Sequence, residues 1–452
     1  MQGKIFDDAY FRNRRTAART AGRARKILLL ILACLLGAGI CSGGELFHNG
    51  STGNCDGCHS KTRKSSAGGV FGGLSSLSGN SMLNGTDPGS TCLICHQAAK
   101  GSPQPFGHLV ATHGDDVQTA PPGQLSPGGD FAWLKKSYKW SSDAAGAGSR
   151  GDSSPGERHG HNIIAADFGY DADTSNVLTP EGSYPAEGLS CISCHDPHGT
   201  YRRNGDGSIS TAGLQIVASG SYKSSPEPGG GGSVGTYRML AGKGYQPKSL
   251  QGELPFKADP PAAVSPMIYN RSERTTDTRV AYGSGMSEWC RNCHTATHEG
   301  ESGHPAGNKA KLSAEVTKHY NSYVSSGDRT GKTGSSYTSL VPFESGTTDY
   351  QTLKALANSD GSVNSGATGS ANVMCLSCHR AHASAWDYLA RWNLRGEMIM
   401  HDGKFPGTDN GAPASVSQGR TTDETRQGLY DRLAGSFGAY QRGLCSKCHA
   451  KD

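Results

Sequence analysis

Apolar residues crowd into one stretch of this 452-residue chain and are thin elsewhere. The dense stretch runs from Ile27 to Ile40. Beyond it the apolar positions fall into three short stripes. Leu312, Val316, Tyr320 and Tyr323 are spaced for one helical face. Trp386, Leu389 and Trp392 form a second stripe, and Leu429, Leu433, Phe437 and Tyr440 a third. Thr421 and Glu424 stand before the third as a capping box. Gly68–Gly79, Ala120–Gly129 and Ser224–Gly235 are rich in Gly, Ser or Pro and read as loops. The pattern predicts a mostly coil fold with a few short helices and few strands.

The stretch before Ile27 is strongly basic: Lys4, Arg12, Arg14, Arg15, Arg19, Arg23, Arg25 and Lys26. Small residues, Cys41-Ser42-Gly43-Gly44, follow the apolar run. A charged segment, a short apolar core and a small-residue cleavage zone make an export signal over residues 1–44. The run is short for a membrane span, and the long basic segment keeps an uncleaved anchor as the alternative. Residues 45–452 are expected to form a single domain.

Removing the leader changes the charge. The whole chain is +5. Residues 1–26 hold eight basic side chains against Asp7 and Asp8, or +6, so the remainder is about −1. No basic stripe is left to argue for nucleic acid. Aromatic residues are only 7% and Gly numbers 64, a meagre supply of core for such a length.

The chemistry lies in a five-residue pattern that occurs six times: Cys55–Cys58–His59, Cys92–Cys95–His96, Cys191–Cys194–His195, Cys290–Cys293–His294, Cys375–Cys378–His379 and Cys445–Cys448–His449. C-x-x-C-H attaches haem c covalently. Two intervening residues let one tight turn present both sulfurs to one edge of the macrocycle, and the next residue offers its imidazole to the iron. Zinc half-sites are the competing reading, but they do not require His directly after the second Cys. A disulfide framework fits poorly, because all twelve motif cysteines are in such pairs and Cys34 and Cys41 lie in the leader. Six covalent haems c would supply the core that the side chains lack. First-cysteine spacings of 37, 99, 99, 85 and 70 residues show no fixed period, which predicts one haem-organised domain rather than a string of modules.

Eleven further histidines can supply sixth ligands: His48, His108, His113, His159, His161, His198, His298, His304, His319, His382 and His401. That is enough for six bis-His haems. His198, His298 and His382 follow a motif histidine by three or four residues. They are too close to reach over their own haem and are placed to reach a neighbouring one. For His159, His319 and His401 a surface or propionate-pairing role is the expectation.

The flanking sequence resembles a known family, the filament-forming hexahaem cytochromes on the outer surface of metal-reducing bacteria. The resemblance rests on PGGDFAWLKKSYKW (127–140), GERHGHNI (156–163), CHDPHGTYRRNGDGSI (194–209), GYQPKSL (244–250), TRVAYGSGMSEWCRNCH (278–294), CLSCHRAHAS (375–384) and YQRGLCSKCHAKD (440–452). It runs from about Leu46 to Asp452. It implies a stacked chain of six haems within a mostly coil fold, bis-His ligation, and end-to-end self-assembly outside the cell, reached through the periplasm. It further implies exchange of electrons with other multihaem cytochromes and with acceptors such as Fe(III) oxides. His48, His108, His161, His198, His298, His304 and His382 fall where the family also has His, and are its distal-ligand candidates here.

One departure stands out. In the family the first motif continues C-x-x-C-H-x-x-H, and that second His serves a haem of the next subunit. Here Ser60-Lys61-Thr62 follows His59. Three routes stay open: His48, His113, His319 or His401 takes over, packing alone holds the junction, or the protein is a discrete soluble carrier. An enzyme, such as a multihaem reductase, needs an open iron position, and uniform motifs with surplus His speak against one.

Overall fold

The computed structural model describes residues 55–60, 83–102, 108–142, 150–247, 254–266, 273–274, 278–296, 303–360 and 365–450. The chain divides into two compact units, Met1–Phe47 and His48–Asp452. The leader, the loop expected at Gly68–Gly79, Thr62, His48 and His298 lie outside the described residues.

The second unit is mostly coil. The longest helices among the described residues, Pro88–His96 and Ala314–Ser322, have nine residues each. No described helix is long and apolar enough to cross a membrane. Strands are short and local. β1 (Tyr138–Ser142) and β2 (Arg150–Ser154) pair antiparallel. β3 (Arg202–Arg203), β4 (Ile209–Ser210), β5 (Ile216–Ala218) and β6 (Ser233–Gly235) form a sheet of order β4-β3-β6-β5. β7 (Ala262–Val264) and β8 (Ala281–Ser284) form a third pair.

Three of the helices start at a side chain that caps them. Asp87 accepts from the Ser90 amide at 2.8 Å, with Pro88 beginning the helix. Ser313 accepts from the Val316 amide at 3.1 Å and starts the helix expected near Tyr320, whose ring is buried. The predicted capping box is present: Thr421 Oγ1 accepts from the Glu424 amide at 3.2 Å and Glu424 Oε2 from the Thr421 amide at 3.0 Å.

Three expectations need correction. The stripe Trp386–Trp392 is not a helix; it holds a single 3₁₀ turn, Asp387–Leu389, in which Tyr388 and Leu389 have φ of 63° and 56°. The stripe Leu429–Tyr440 is not one either. The capped helix ends at Gly428, and Tyr430 and Asp431 at φ 62° and 52° turn the chain away. Two successive left-handed residues cannot continue a right-handed helix. The Ser224–Gly235 loop ends as an interior strand, because Val234 buries completely.

The main core gathers Trp133, Tyr138, Tyr320, Phe343, Trp386, Trp392 and Leu429. Arg420 is sandwiched in it, 4.2 Å from the Tyr138 ring centroid and 4.6 Å from that of Trp386. Of the aromatics expected to pack, Phe437 is half-buried against this core and Tyr440 is exposed.

Candidate haem-binding site

The second motif ends the nine-residue helix Pro88–His96, and the third to sixth each fold at a single short helical turn. In these four the histidine amide donates back to the carbonyl of the first cysteine: His195 to Cys191 at 3.0 Å, His294 to Cys290 at 3.1 Å, His379 to Cys375 at 3.0 Å and His449 to Cys445 at 2.9 Å. That bond places both sulfurs and the imidazole on one local scaffold. Two motifs add a side-chain clasp. Ser193 Oγ accepts from the Ser190 amide at 3.0 Å, and Ser377 Oγ from the Met374 amide at 3.2 Å.

The imidazoles are then oriented through the backbone. Nδ1 donates to a carbonyl in His96 (to His108, 2.6 Å), His195 (to Arg238, 2.7 Å), His294 (to Pro180, 2.9 Å) and His379 (to Tyr388, 2.7 Å). His161 does the same to Ala381 at 2.8 Å and His304 to Pro305 at 3.1 Å. A proton fixed on Nδ1 leaves the Nε2 lone pair for a metal, the usual arrangement at a histidine-ligated site. Burial favours the neutral form of four rings: it pushes His161 down to about 4 and His382 down to about 3, and lowers His96 and His195 as well.

Five motif histidines face a second histidine. His59 and His198 are 6.4 Å apart between ring centroids, His96 and His108 5.7 Å, His195 and His382 6.4 Å, His294 and His161 6.2 Å, and His449 and His304 6.2 Å. Two imidazoles binding one ion from opposite sides, at about 2 Å per bond, have centroids about 6 Å apart. The spacing therefore fits an iron between each pair. It does not fit zinc: among the described residues no three His, Cys, Asp or Glu side chains converge. Every cysteine described there is free of disulfides, as thioether attachment requires. For the fifth motif, His379 is oriented like the others. The two family candidates outside the five pairs, His48 and His298, lie outside the described residues.

The attachment cysteines follow one another in chain order. The side chains of Cys92 and Cys191 meet, as do those of Cys290 and Cys375. Cys194 lies near Cys290 and Cys293, and Cys378 near Cys445 and Cys448. Motifs two to six thus form a continuous file. His59 and His449, from the first and last motifs, are both exposed.

The remaining described histidines stand apart from these pairs. His159 is not at the surface as expected. It is fully buried, with Nδ1 donating to the Trp133 carbonyl at 3.0 Å and Nε2 2.8 Å from Ser154 Oγ. His319 is paired along its helix with Glu315 at 3.5 Å. His401 sits edge-on to Tyr440, and His113 accepts from the Asp115 amide at 3.2 Å. What sequence reasoning missed is the set of carbonyls on Pro180, Arg238 and Tyr388. Each lies in or beside a left-handed residue: Glu181, Arg238 or Tyr388. Non-glycine residues with positive φ carry no sequence signal.

No family model matches the chain. It is 48% identical over 417 residues to C-type cytochrome OmcS of Geobacter sulfurreducens, covering 90% of this chain and 94% of that protein. Among solved structures, OmcS nanowires from Geobacter sulfurreducens match with a TM-score of 0.80 and 46% identity, over 90% of this chain and 100% of theirs. A Geobacter sulfurreducens outer membrane cytochrome S filament matches with a TM-score of 0.80 and 47% identity, with the same coverage. The chain belongs to the OmcS family of multihaem c-type cytochromes.

Proposed function

We propose that this chain is an exported electron carrier that polymerises end to end and conducts through six covalently bound haems c. The observation that carries the reading is the pairing of five CxxCH histidines with a second histidine at 5.7 to 6.4 Å. In this reading the twelve motif cysteines form the thioethers and the six motif histidines are proximal ligands. His198, His108, His382, His161 and His304 are distal to the first, second, third, fourth and sixth motifs. His48 and His298 are left for the fifth. Bound haem supplies a reversible one-electron iron couple.

The protein's part is to fix each ring, orient the imidazoles through backbone carbonyls and fill the sixth position. A filled position leaves no place for substrate, which supports an electron carrier rather than a reductase. Exposure of the first and last motif histidines supports transfer from one subunit to the next. The relatives solved as nanowires and filaments support self-assembly. Exchange with other multihaem cytochromes and with Fe(III) oxides, and passage through the periplasm, belong to the same proposal.

Electron micrographs of the purified holoprotein test it. Smooth polymers with a subunit-length repeat are expected. Single particles at high concentration would leave a discrete hexahaem carrier, the reading that Thr62 in place of the family's intersubunit His favours.

A further inference from the structure

Glu273 is a buried carboxylate among three buried arginines. Its Oε2 accepts from Nη1 of Arg380 and, at 2.9 Å, from Nη1 of Arg391. Arg391 Nη1 also donates to the Ser339 carbonyl at 2.6 Å, and Arg432 Nη2 to the Ser339 hydroxyl at 2.7 Å. The Arg380 guanidinium lies 3.6 Å from the Tyr430 ring centroid. One negative charge thus faces three positive ones where water does not screen them. The carboxyl of Asp130, which also acts on Tyr430, is pushed up by its own burial. Guanidinium groups keep their proton at any ordinary pH, so the surplus is permanent.

This surplus is built onto the fifth motif. Arg380 directly follows His379 in the chain. Arg391 Nε donates to the carbonyls of Leu376 at 2.6 Å and His379 at 3.1 Å, and its charge acts on Cys378. We propose that the Glu273–Arg380–Arg391–Arg432 cluster raises the reduction potential of the haem held by the fifth motif. The proposal depends on the reading of His379 as a haem ligand. The physical cause is Coulombic: adding an electron to an iron beside a buried net positive charge is favoured, and low dielectric strengthens the effect.

The test is a spectroelectrochemical titration of the intact holoprotein, resolved into six one-electron components. Arg432→Gln removes a positive charge and leaves Arg380 and Arg391 on Glu273; one component is expected to move to more negative potential. Glu273→Gln removes the negative charge, and the same component is expected to move the other way. Opposite shifts are a readout that a merely structural role does not give. Shifts of one sign, no shift with six haems still attached, or equal movement of all six components overturns the proposal. Should Glu273→Gln fail to fold, the sign of the Arg432→Gln shift decides alone. His379→Met marks the component belonging to the fifth motif by its altered spectrum. A charge-dependent shift on a different component overturns the assignment to this haem. An unchanged spectrum in His379→Met overturns the haem-ligand reading itself, and this inference with it.

Discussion

The ring of His382 stands 6.4 Å from that of His195, although His382 trails the fifth motif and His195 ends the third. In the proposed ligand set, a residue that trails one motif thereby serves another. His382→Ala should leave all six haems covalently attached, since no cysteine changes. It should convert one haem from low spin to high spin. Mass spectrometry checks the first outcome and the ferric EPR spectrum the second. A fully low-spin spectrum in the variant would remove His382 from the ligand set.

The same contact depends on two glycines. A Cβ at Gly129, where φ is 96°, would meet the Ala383 carbonyl oxygen at 1.9 Å; at Gly160 it would meet Ala383 Cβ at 2.5 Å and the His382 carbonyl oxygen at 2.6 Å. Backbone cannot yield as a flexible side chain does. Gly129→Ala is expected to cost on the order of 1–3 kcal/mol from strain and overpacking together. Thermal melts followed at the haem Soret band should show a lowered midpoint, with Gly160→Ala affected in the same direction. Because both substitutions press on the His382–Ala383 backbone, their spectra should also show partial loss of low-spin signal.

The candidate haem motifs were legible because thioether chemistry demands a local spacing, and Cys375 to His379 has it within one turn. The capping box at Thr421 and Glu424 was legible for the same reason. Partner choice was not. His294 meets His161, far away in sequence, across backbone set by the His161–Ala381 hydrogen bond, and no local rule encodes that. The stripes at Trp386–Trp392 and Leu429–Tyr440 misled because their apolar spacing imitates a helix. The left-handed pairs Tyr388–Leu389 and Tyr430–Asp431 break the backbone while keeping the apolar residues Trp386, Trp392 and Leu429 inward.

Glu344 gives the protein a pH dependence with a definite sign. Its Oε1 accepts from the Met286 amide at 2.7 Å, at the start of the turn that leads to Cys290, and burial pushes its carboxyl up to about 8. A folded-state value above the unfolded one, 4.5 here, means that the folded protein holds the proton more tightly. The stabilising contribution is complete below the unfolded value and is lost as pH rises through about 8, a change on the order of a few kcal/mol. Glu344→Gln keeps an oxygen for Met286 and has no proton to lose. Its melting temperature should fall less than that of the native protein between pH 5 and pH 9. Parallel curves for the two proteins would show that Glu344 is already charged at neutral pH.

Ser193 and Ser377 occupy the same place in their motifs, CISCH and CLSCH, and each hydroxyl accepts the amide of the residue before the first cysteine. Ser377 Oγ also donates to the Pro342 carbonyl at 2.6 Å. Replacing either serine by alanine strands a buried amide, which costs about 1–3 kcal/mol. Ser377→Ala also gives up the bond to Pro342. Denaturant unfolding of the two holoprotein variants against the native protein measures both costs directly. The four motifs without serine at this position predict a further result. In those, the turn is held by other means, so alanine in place of Gly57, Ile94, Asn292 or Lys447 should have no comparable effect on the amide before the first cysteine. Native-like unfolding of both Ser193→Ala and Ser377→Ala would mean that the clasp contributes nothing to holding its turn.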